Sequence, residues 1–411
     1  MGKKFKIIVL AYACEPNKGS EPEVGWQWVK QLARKNYVWV ITRANNKKCI
    51  VDSGVFEDLP DLCFEYIDLP AWARFWKKGN RGIHIYYWLW QICAVLKAWQ
   101  LHKKMNFNIA HHITFSPFYQ PPLLSLLPIP FVWGPIGAGE KLPKKFLKLF
   151  NLRQRMRENL RTTIRILSPF NPLVYSAFCR AKLILASTEE TYSVIPKQFR
   201  HKAVVESQIG MEMVKAVCKI RDNRKPFKLI TAGRHVYWKG NILIIRAFHK
   251  FILETGINAE LQILSDGPEK QNLKNEVKKL SIQDIVTFTE WFPRREDVFF
   301  AYKMADVFAY ASLFECGGYV ALEALSVGLP VVCLDLGGPG EIVNETCGCK
   351  VIAKNPEQTI NDLSSVFKTL AQNDALLSKI SSGACSRVNK NFNWDIKGDR
   401  IHKLLLERFS D

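Results

Sequence analysis

Several things are missing from this sequence, and each absence removes a class of protein. There is no C-x-x-C pair: the eleven cysteines are irregularly spaced, and Cys347 and Cys349 stand too close for a zinc-binding pair. Neither a disulfide framework nor a zinc ribbon is expected; reduced cysteines filling the core of a cytosolic protein are. No apolar run is long. The richest tract, Ile83 to Trp99, is broken by His84, Gln91 and Lys97 and falls short of the ~18 residues a membrane span needs. The opening MGKKFKIIVLAY has a short apolar run with no small-residue cleavage site, so a first strand is expected there and not a signal peptide. No G-x-G-x-x-G follows that strand, so a dinucleotide cofactor is not indicated. Acid is scarce, with 38 Asp and Glu against 58 Lys and Arg, and no acidic pair closes a strand where a divalent metal would sit.

What is present is a basic chain of 411 residues with a net charge of +20, long enough for two or three domains. The charge is uneven. Lys141 to Arg165 carries nine Lys and Arg against the single acid Glu158, a stripe that could meet nucleic acid, an anionic membrane face or only water. The loop ARFWKKGNRG, from Ala73 to Gly82, sets aromatics beside four basic residues, as a segment dipping into a headgroup layer would. No nucleic-acid-binding motif accompanies the charge, and no nucleic-acid partner is expected.

Strand and helix patterns alternate along the chain. Phe5 to Tyr12 is a nearly continuous apolar run, as a buried parallel strand requires. A Gly-loop-to-helix junction follows, in which Gly19 permits a turn, Ser20 and Glu23 fit a capping box, and Pro22 suits a first helical turn. Further strands are expected at Val38–Thr42, Phe64–Leu69, Asn108–Thr114, Phe131–Glu140, Ala181–Ala186 and Ala203–Gln208, with a helix over Ile85–Trp99 and another within Lys141–Arg165. His111 and His112 end one of these strands. Adjacent strand residues face opposite ways, so either could face a crevice, and lone histidines are more often structural. The domains expected are 1–208 (with 391–411 packing back on it), a linker at 209–226, and 227–390.

The second half opens with FKLITAGRHVYWKG, a strand, Gly233, and a loop holding Arg234 and Lys239 before a helix from about Asn241. Two cations beside a helix N-terminus suit a diphosphate. The most informative stretch is Ala311 to Pro330, ASLFECGGYVALEALSVGLP. A strand (Asp306–Tyr310) runs into a loop with Glu315, Cys316, Gly317 and Gly318, then a helix from Tyr319 that carries Glu323. Glu323 lies roughly 9 Å along the axis from Gly317 at about 1.5 Å per residue. An anion held by the unpartnered first-turn N–H groups would have a carboxylate acceptor on either side, the pattern a nucleoside diphosphate sugar needs.

These motifs resemble those of the retaining glycosyltransferases of family 4, the group 1 enzymes. So do G-S-E-x-x-x-G-W near Gly19 and Ser20, FVWGPIGAGE, and the Asp266-Gly267-Pro268-Glu269 turn, with Ser265 where the family usually has Gly. The resemblance implies an α/β, GT-B fold: two doubly wound Rossmann-like domains facing across a cleft, with a final helix crossing back to the first. It implies a donor nucleotide sugar and a glycan or lipid-linked acceptor, in surface polysaccharide or glycolipid assembly, at the cytoplasmic face of a membrane. No cofactor is expected beyond the donor, and with no acidic pair at a strand end the cations are expected to take the place of a divalent metal. By the same resemblance, Gly233, Arg234 and Lys239 bind the diphosphate with the loop Glu315–Tyr319. Glu315 orients the sugar, Glu323 the ribose, and Glu290 with Trp291 the base, although the family commonly has Gly where Glu290 stands. A histidine, His111 or His112, meets the donor sugar. Two rivals share parts of this reading: a GT-B nucleotide-sugar epimerase, which would release free epimerised donor, and a non-catalytic basic scaffold, which would bind no nucleotide.

Overall fold

A computed structural model describes residues 3–74, 76–77, 79, 82–215, 225–290, 292 and 294–410. Contacts divide the chain into two units, one of residues 1–139, 164–208 and 394–411 and the other of 140–163 and 209–393. Each is organised by one parallel sheet.

The first sheet has seven strands: β1 (Lys6–Leu10), β2 (Tyr37–Arg43), β3 (Leu62–Ile67), β4 (Ile109–His112), β5 (Phe131–Ile136), β6 (Ala181–Ala186) and β7 (Ala203–Val205). Their order is β3-β2-β1-β4-β5-β6-β7, so the winding reverses between β1 and β4. Parallel strands covered on both faces must be apolar throughout, and every residue of β4 and β5 is buried. Helix α1 (Ser20–Ala33) covers one face and α2 (Ile83–Met105) the other, where Tyr86, Tyr87 and Trp90 join the core. The start of α1 differs from the sequence expectation. Gly19, at φ 68°, is the N-cap, Ser20 is already the first helical residue, and no side chain caps the helix. Glu23 accepts from Gln27 at 2.8 Å, one turn on, so the capping box does not form.

Helix Trp394–Phe409 packs in this unit against α1, where Trp28 and Trp394 meet edge to face at 6.5 Å. Beside them Lys397 and Glu206, both buried, form an ion pair; Lys397 also donates to the Ser207 carbonyl, and Arg400 donates to Glu206 at 3.0 Å. Burial lowers the Lys397 ammonium from its ordinary value, and Glu206 opposes that shift.

The second sheet has six strands: β8 (Phe227–Ala232), β9 (Ala259–Leu264), β10 (Val286–Thr289), β11 (Val307–Tyr310), β12 (Val331–Leu334) and β13 (Gly348–Val351). Their order, β10-β9-β8-β11-β12-β13, again reverses beside its first strand, between β8 and β11. Strand β13 escaped the sequence reading because Gly-Cys-Lys-Val at a sheet edge has neither an apolar run nor a clean alternation. Alternate residues of the central strands face two layers. Leu229, Val307, Ala309 and Val332 pack with Phe248 and Phe367, while Phe308 on the opposite face meets Tyr302 edge to face at 5.3 Å. Among the described residues, no helix is long and apolar enough to cross a membrane.

Residues 140–163 contradict the domain boundaries expected from the sequence, which kept them in the first domain. Phe146 and Phe150 are buried in the core of the second unit, and Lys148 pairs with Glu357 there at 3.0 Å. The basic stretch is a 3₁₀ segment (Lys144–Leu149) followed by helix α3 (Leu152–Leu167). Of the expected linker, residues 209–215 belong to the second unit, where Met211 pairs with Asn393; 216–224 lie outside the described residues.

The buried ion pair makes the first unit's stability depend on Glu206. Glu206→Ala strands a buried ammonium and should cost about 3–5 kcal/mol of unfolding free energy. Lys397→Met should cost markedly less, because Arg400 still answers the carboxylate. Urea unfolding of the two variants checks this, and equal losses would show that Arg400 does not share in the pair.

Candidate functional site

Two loops leave the second sheet on either side of its winding reversal, the position where open α/β sheets bind ligands. The first follows β8 and holds Gly233, Arg234 and the 3₁₀ turn Tyr237–Lys239. The second follows β11, holds Glu315 to Gly318, and opens helix α4 (Tyr319–Ser326), preceded in the chain by the helix Arg295–Lys303. Close backbone packing joins the loops. The Leu313 N–H donates to the Trp238 carbonyl at 2.8 Å, and a Cβ on Gly240 would lie 2.0 Å from the Ala311 carbonyl oxygen. On the far side, the Gly338 N–H donates to the Glu315 carbonyl at 3.0 Å, and a Cβ there would lie 2.3 Å from that of Cys316.

Lys239 and Glu315 meet in that junction as an ion pair. Tyr310, at the end of β11, takes a hydrogen bond from Lys239 at 2.6 Å and donates to Glu315 Oε2 at 2.8 Å. The other carboxylate oxygen accepts from the Gly318 N–H at 3.3 Å. Burial alone would raise the Glu315 carboxyl, but Lys239, Tyr310 and the Gly318 N–H together hold it below its ordinary value. Burial would likewise lower Lys239, and Tyr310 and Glu315 outweigh it and raise the ammonium. Both groups are therefore charged at neutral pH.

Arg234 is exposed, and among the described residues its guanidinium has no hydrogen-bond or ion-pair partner. Glu323, on α4, accepts from Arg295 at 2.8 Å; burial raises its carboxyl and Arg295 opposes this. Gly318 is the N-cap of α4, with a φ of 83°, and the Ala321 N–H is turned back onto its carbonyl at 3.0 Å. Glu290, just past β10, is exposed and paired with Lys270 at 3.1 Å; Trp291 lies outside the described residues. Ser265 has a φ of +100°, a region that favours glycine, which gives a physical reason for a Gly at this place.

The sequence reading missed Tyr310 and Arg295. Tyr310 closes the expected strand Asp306–Tyr310, directly before the loop that holds Glu315, and that position was a usable signal. Arg295 lies 28 residues from its partner in the chain, and no spacing rule links them.

In the first unit, His111 and His112 face opposite sides of β4 and both are buried. His111 Nε2 donates to the Gly134 carbonyl at 2.6 Å, its ring edge-on to Trp28 at 6.3 Å. His112 Nε2 lies 3.2 Å from the Thr114 carbonyl and 2.9 Å from the Tyr87 hydroxyl. Neither Nδ1 has a partner among the described residues, so a second ring proton would be buried unsatisfied. Burial accordingly lowers His111 to about 4 and His112 to about 3. Gly19 and Ser20 stand at the start of α1 in the same unit.

Residues 217–384, less than half of the chain, match the family described as glycosyl transferases group 1. An uncharacterized glycosyltransferase of Methanocaldococcus jannaschii is 32% identical over 177 residues, 43% of this chain and 43% of that protein. The match thus spans under half the length of such curated relatives. A sucrose-phosphate synthase of Thermosynechococcus elongatus aligns with 99% of this chain and all of its own at a TM-score of 0.67 and 16% identity. An Anabaena protein solved in complex with UDP aligns with 98% of this chain and all of its own, at a TM-score of 0.64 and 16% identity. At these identities the structural likeness speaks for the fold, which is GT-B: two Rossmann-like units, each on a parallel sheet.

The histidines have a pH signature. Both are neutral in the fold where the unfolded chain, with an ordinary value of 6.5, takes up protons. Their contribution is whole above pH 6.5 and is lost as pH falls toward the folded values. Each should remove about 1.4 kcal/mol per pH unit. Urea midpoints measured between pH 7 and 5.5, where most carboxylates stay ionised, should fall with pH; a flat midpoint would show the rings charged in the fold.

Proposed function

We propose that the protein is a retaining glycosyltransferase that moves a sugar from a nucleoside diphosphate donor to a glycan or lipid-linked acceptor at an anionic membrane surface. The observation that carries this reading is the cluster at the winding reversal of the second sheet. There a free guanidinium, an ammonium–carboxylate pair and a helix start come from the two loops that flank a ligand position. The family match over residues 217–384 supports it, as does the UDP complex of the Anabaena protein.

As the glycosidic bond breaks, negative charge grows on the leaving diphosphate and oxocarbenium character on the sugar. Arg234, Lys239 and the N–H groups of Gly317 and Tyr319 would stabilise that charge more in the transition state than before it, the Gly318 N–H being held by Glu315. Glu315 is held ionised, so it accepts from sugar hydroxyls without first losing a proton. Glu323 would exchange its Arg295 contact for ribose hydroxyls. His111 and His112, expected from the sequence to offer one sugar contact, are both buried in the first unit, each with an unpartnered Nδ1 among the described residues. No enzyme carboxylate is assigned as nucleophile; in front-face attack the donor phosphate itself helps deprotonate the acceptor. Charge stabilisation by Arg234 and Lys239 takes the place of a divalent cation, so the donor reaction needs no metal.

Calorimetry with UDP, GDP, ADP and dTDP tests the donor site. Arg234→Ala should weaken the best nucleoside diphosphate by about 1.5–3 kcal/mol, the cost of a lost charged hydrogen bond. Glu323→Ala should also weaken it, because the ribose stays on the product. Glu315→Gln should leave that binding nearly unchanged and depress turnover, since only the donor carries the sugar. Loss of product binding in Glu315→Gln as severe as in Arg234→Ala would reverse the assigned orientation; failure of all four nucleotides to bind would favour a non-catalytic scaffold.

The metal question has its own measurement. Transfer activity should survive EDTA, and abolition by EDTA with rescue by Mn²⁺ would contradict the role given to the two cations.

A further inference from the structure

Helix α3 is built inside out. The side chains it turns toward the second unit are polar: Gln154 donates to Glu269 at 2.8 Å, and Glu158 accepts from the Tyr237 hydroxyl at 2.7 Å and from Arg161 at 2.9 Å. Arg161 also lies over the Phe314 ring at 4.5 Å. Its apolar side chains face solvent, with Leu152 74%, Met156 63% and Leu160 61% exposed. Four apart, these three stack in one stripe. A surface helix of a water-soluble domain ordinarily turns such a stripe to the core. Here the core contact is made instead by Phe146 and Phe150, in the segment just before the helix.

The charge around the stripe is of one sign. At about 100° per residue, Arg153 and Arg157 fall along one edge, while Arg155, beyond the other, donates to the Phe150 and Lys148 carbonyls. The one acid between Lys141 and Arg165 is Glu158, which is buried and already paired with Arg161. Among the described residues of α3, the outward face is therefore apolar and cationic, with no exposed carboxylate.

We infer that this face of α3 is an interfacial membrane element, its leucines and methionine seated among acyl chains and its arginines on anionic lipid phosphates. A second copy of the chain is the poorer occupant, because pairing two such faces sets arginines against arginines. The inference deepens the proposed function by naming how the enzyme reaches a membrane-held acceptor, and rests on that reading only for its consequence; lipid binding itself does not require it.

Vesicle flotation of the full chain tests it. With phosphatidylglycerol-containing vesicles at low salt the protein should float. Recovery should fall about tenfold or more with pure phosphatidylcholine, and likewise for the variant L152Q/M156Q/L160Q. Thermal midpoint and nucleoside diphosphate binding of the variant should match the parent, which separates lost docking from lost folding. The inference is overturned if the triple variant floats as the parent does, or if lipid charge makes no difference. A parent that is a dimer in solution and becomes monomeric in the variant overturns it too, by assigning the face to a second copy. Flotation without any nucleotide binding would leave this inference standing and remove the proposed function.

Discussion

The candidate site depends on one ion pair held where two parallel strands diverge. Taking Lys239 and Glu315 out of water is costly, and the pair is tolerable because each charge is answered more than once. Tyr310 bridges the two side chains, and the Gly318 N–H takes the second carboxylate oxygen. The backbone carries the same constraint. Side chains at Gly240 or Gly338 would drive into neighbouring carbonyls, so the loops can close on each other only where those residues have none. A helix start, an ammonium and a carboxylate are thereby held in one fixed arrangement by the fold.

The two units solve the burial of titratable groups in opposite ways. In the second, Lys239 and Glu315 stay charged because each has the other. In the first, His111 and His112 have carbonyls and a hydroxyl for company but, among the described residues, no carboxylate partner, and they stay neutral. A neutral imidazole with one free nitrogen is an acceptor or a positioning group. It is poorly suited to carry charge near neutral pH.

Helix α3 shows how basic composition and packing can point apart. Read as a run of residues, Lys141 to Arg165 is a solvated or membrane-facing stripe. In the fold its first part anchors the second unit through Phe146 and Phe150, and several of its polar side chains turn inward. The exposed apolar stripe is made of leucines and a methionine that composition alone would have placed in a core.

The strands, their alternation with helices, and the motifs around Glu315, Lys239 and Arg234 were legible in the sequence. Parallel strands need near-continuous apolar runs, and an anion site at a helix start needs glycine and cation at short spacing. Most site residues lie within one loop and the next few residues of chain, so local rules reach them. What only the tertiary structure decided was long-range. It paired Glu323 with Arg295 and gave residues 140–163 to the second unit. It withheld the Ser20–Glu23 capping box, because the helix begins one residue before that box allows. It also settled which way each histidine of β4 faces, since strand alternation says only that adjacent residues differ, and the helix packed on each side says what they meet.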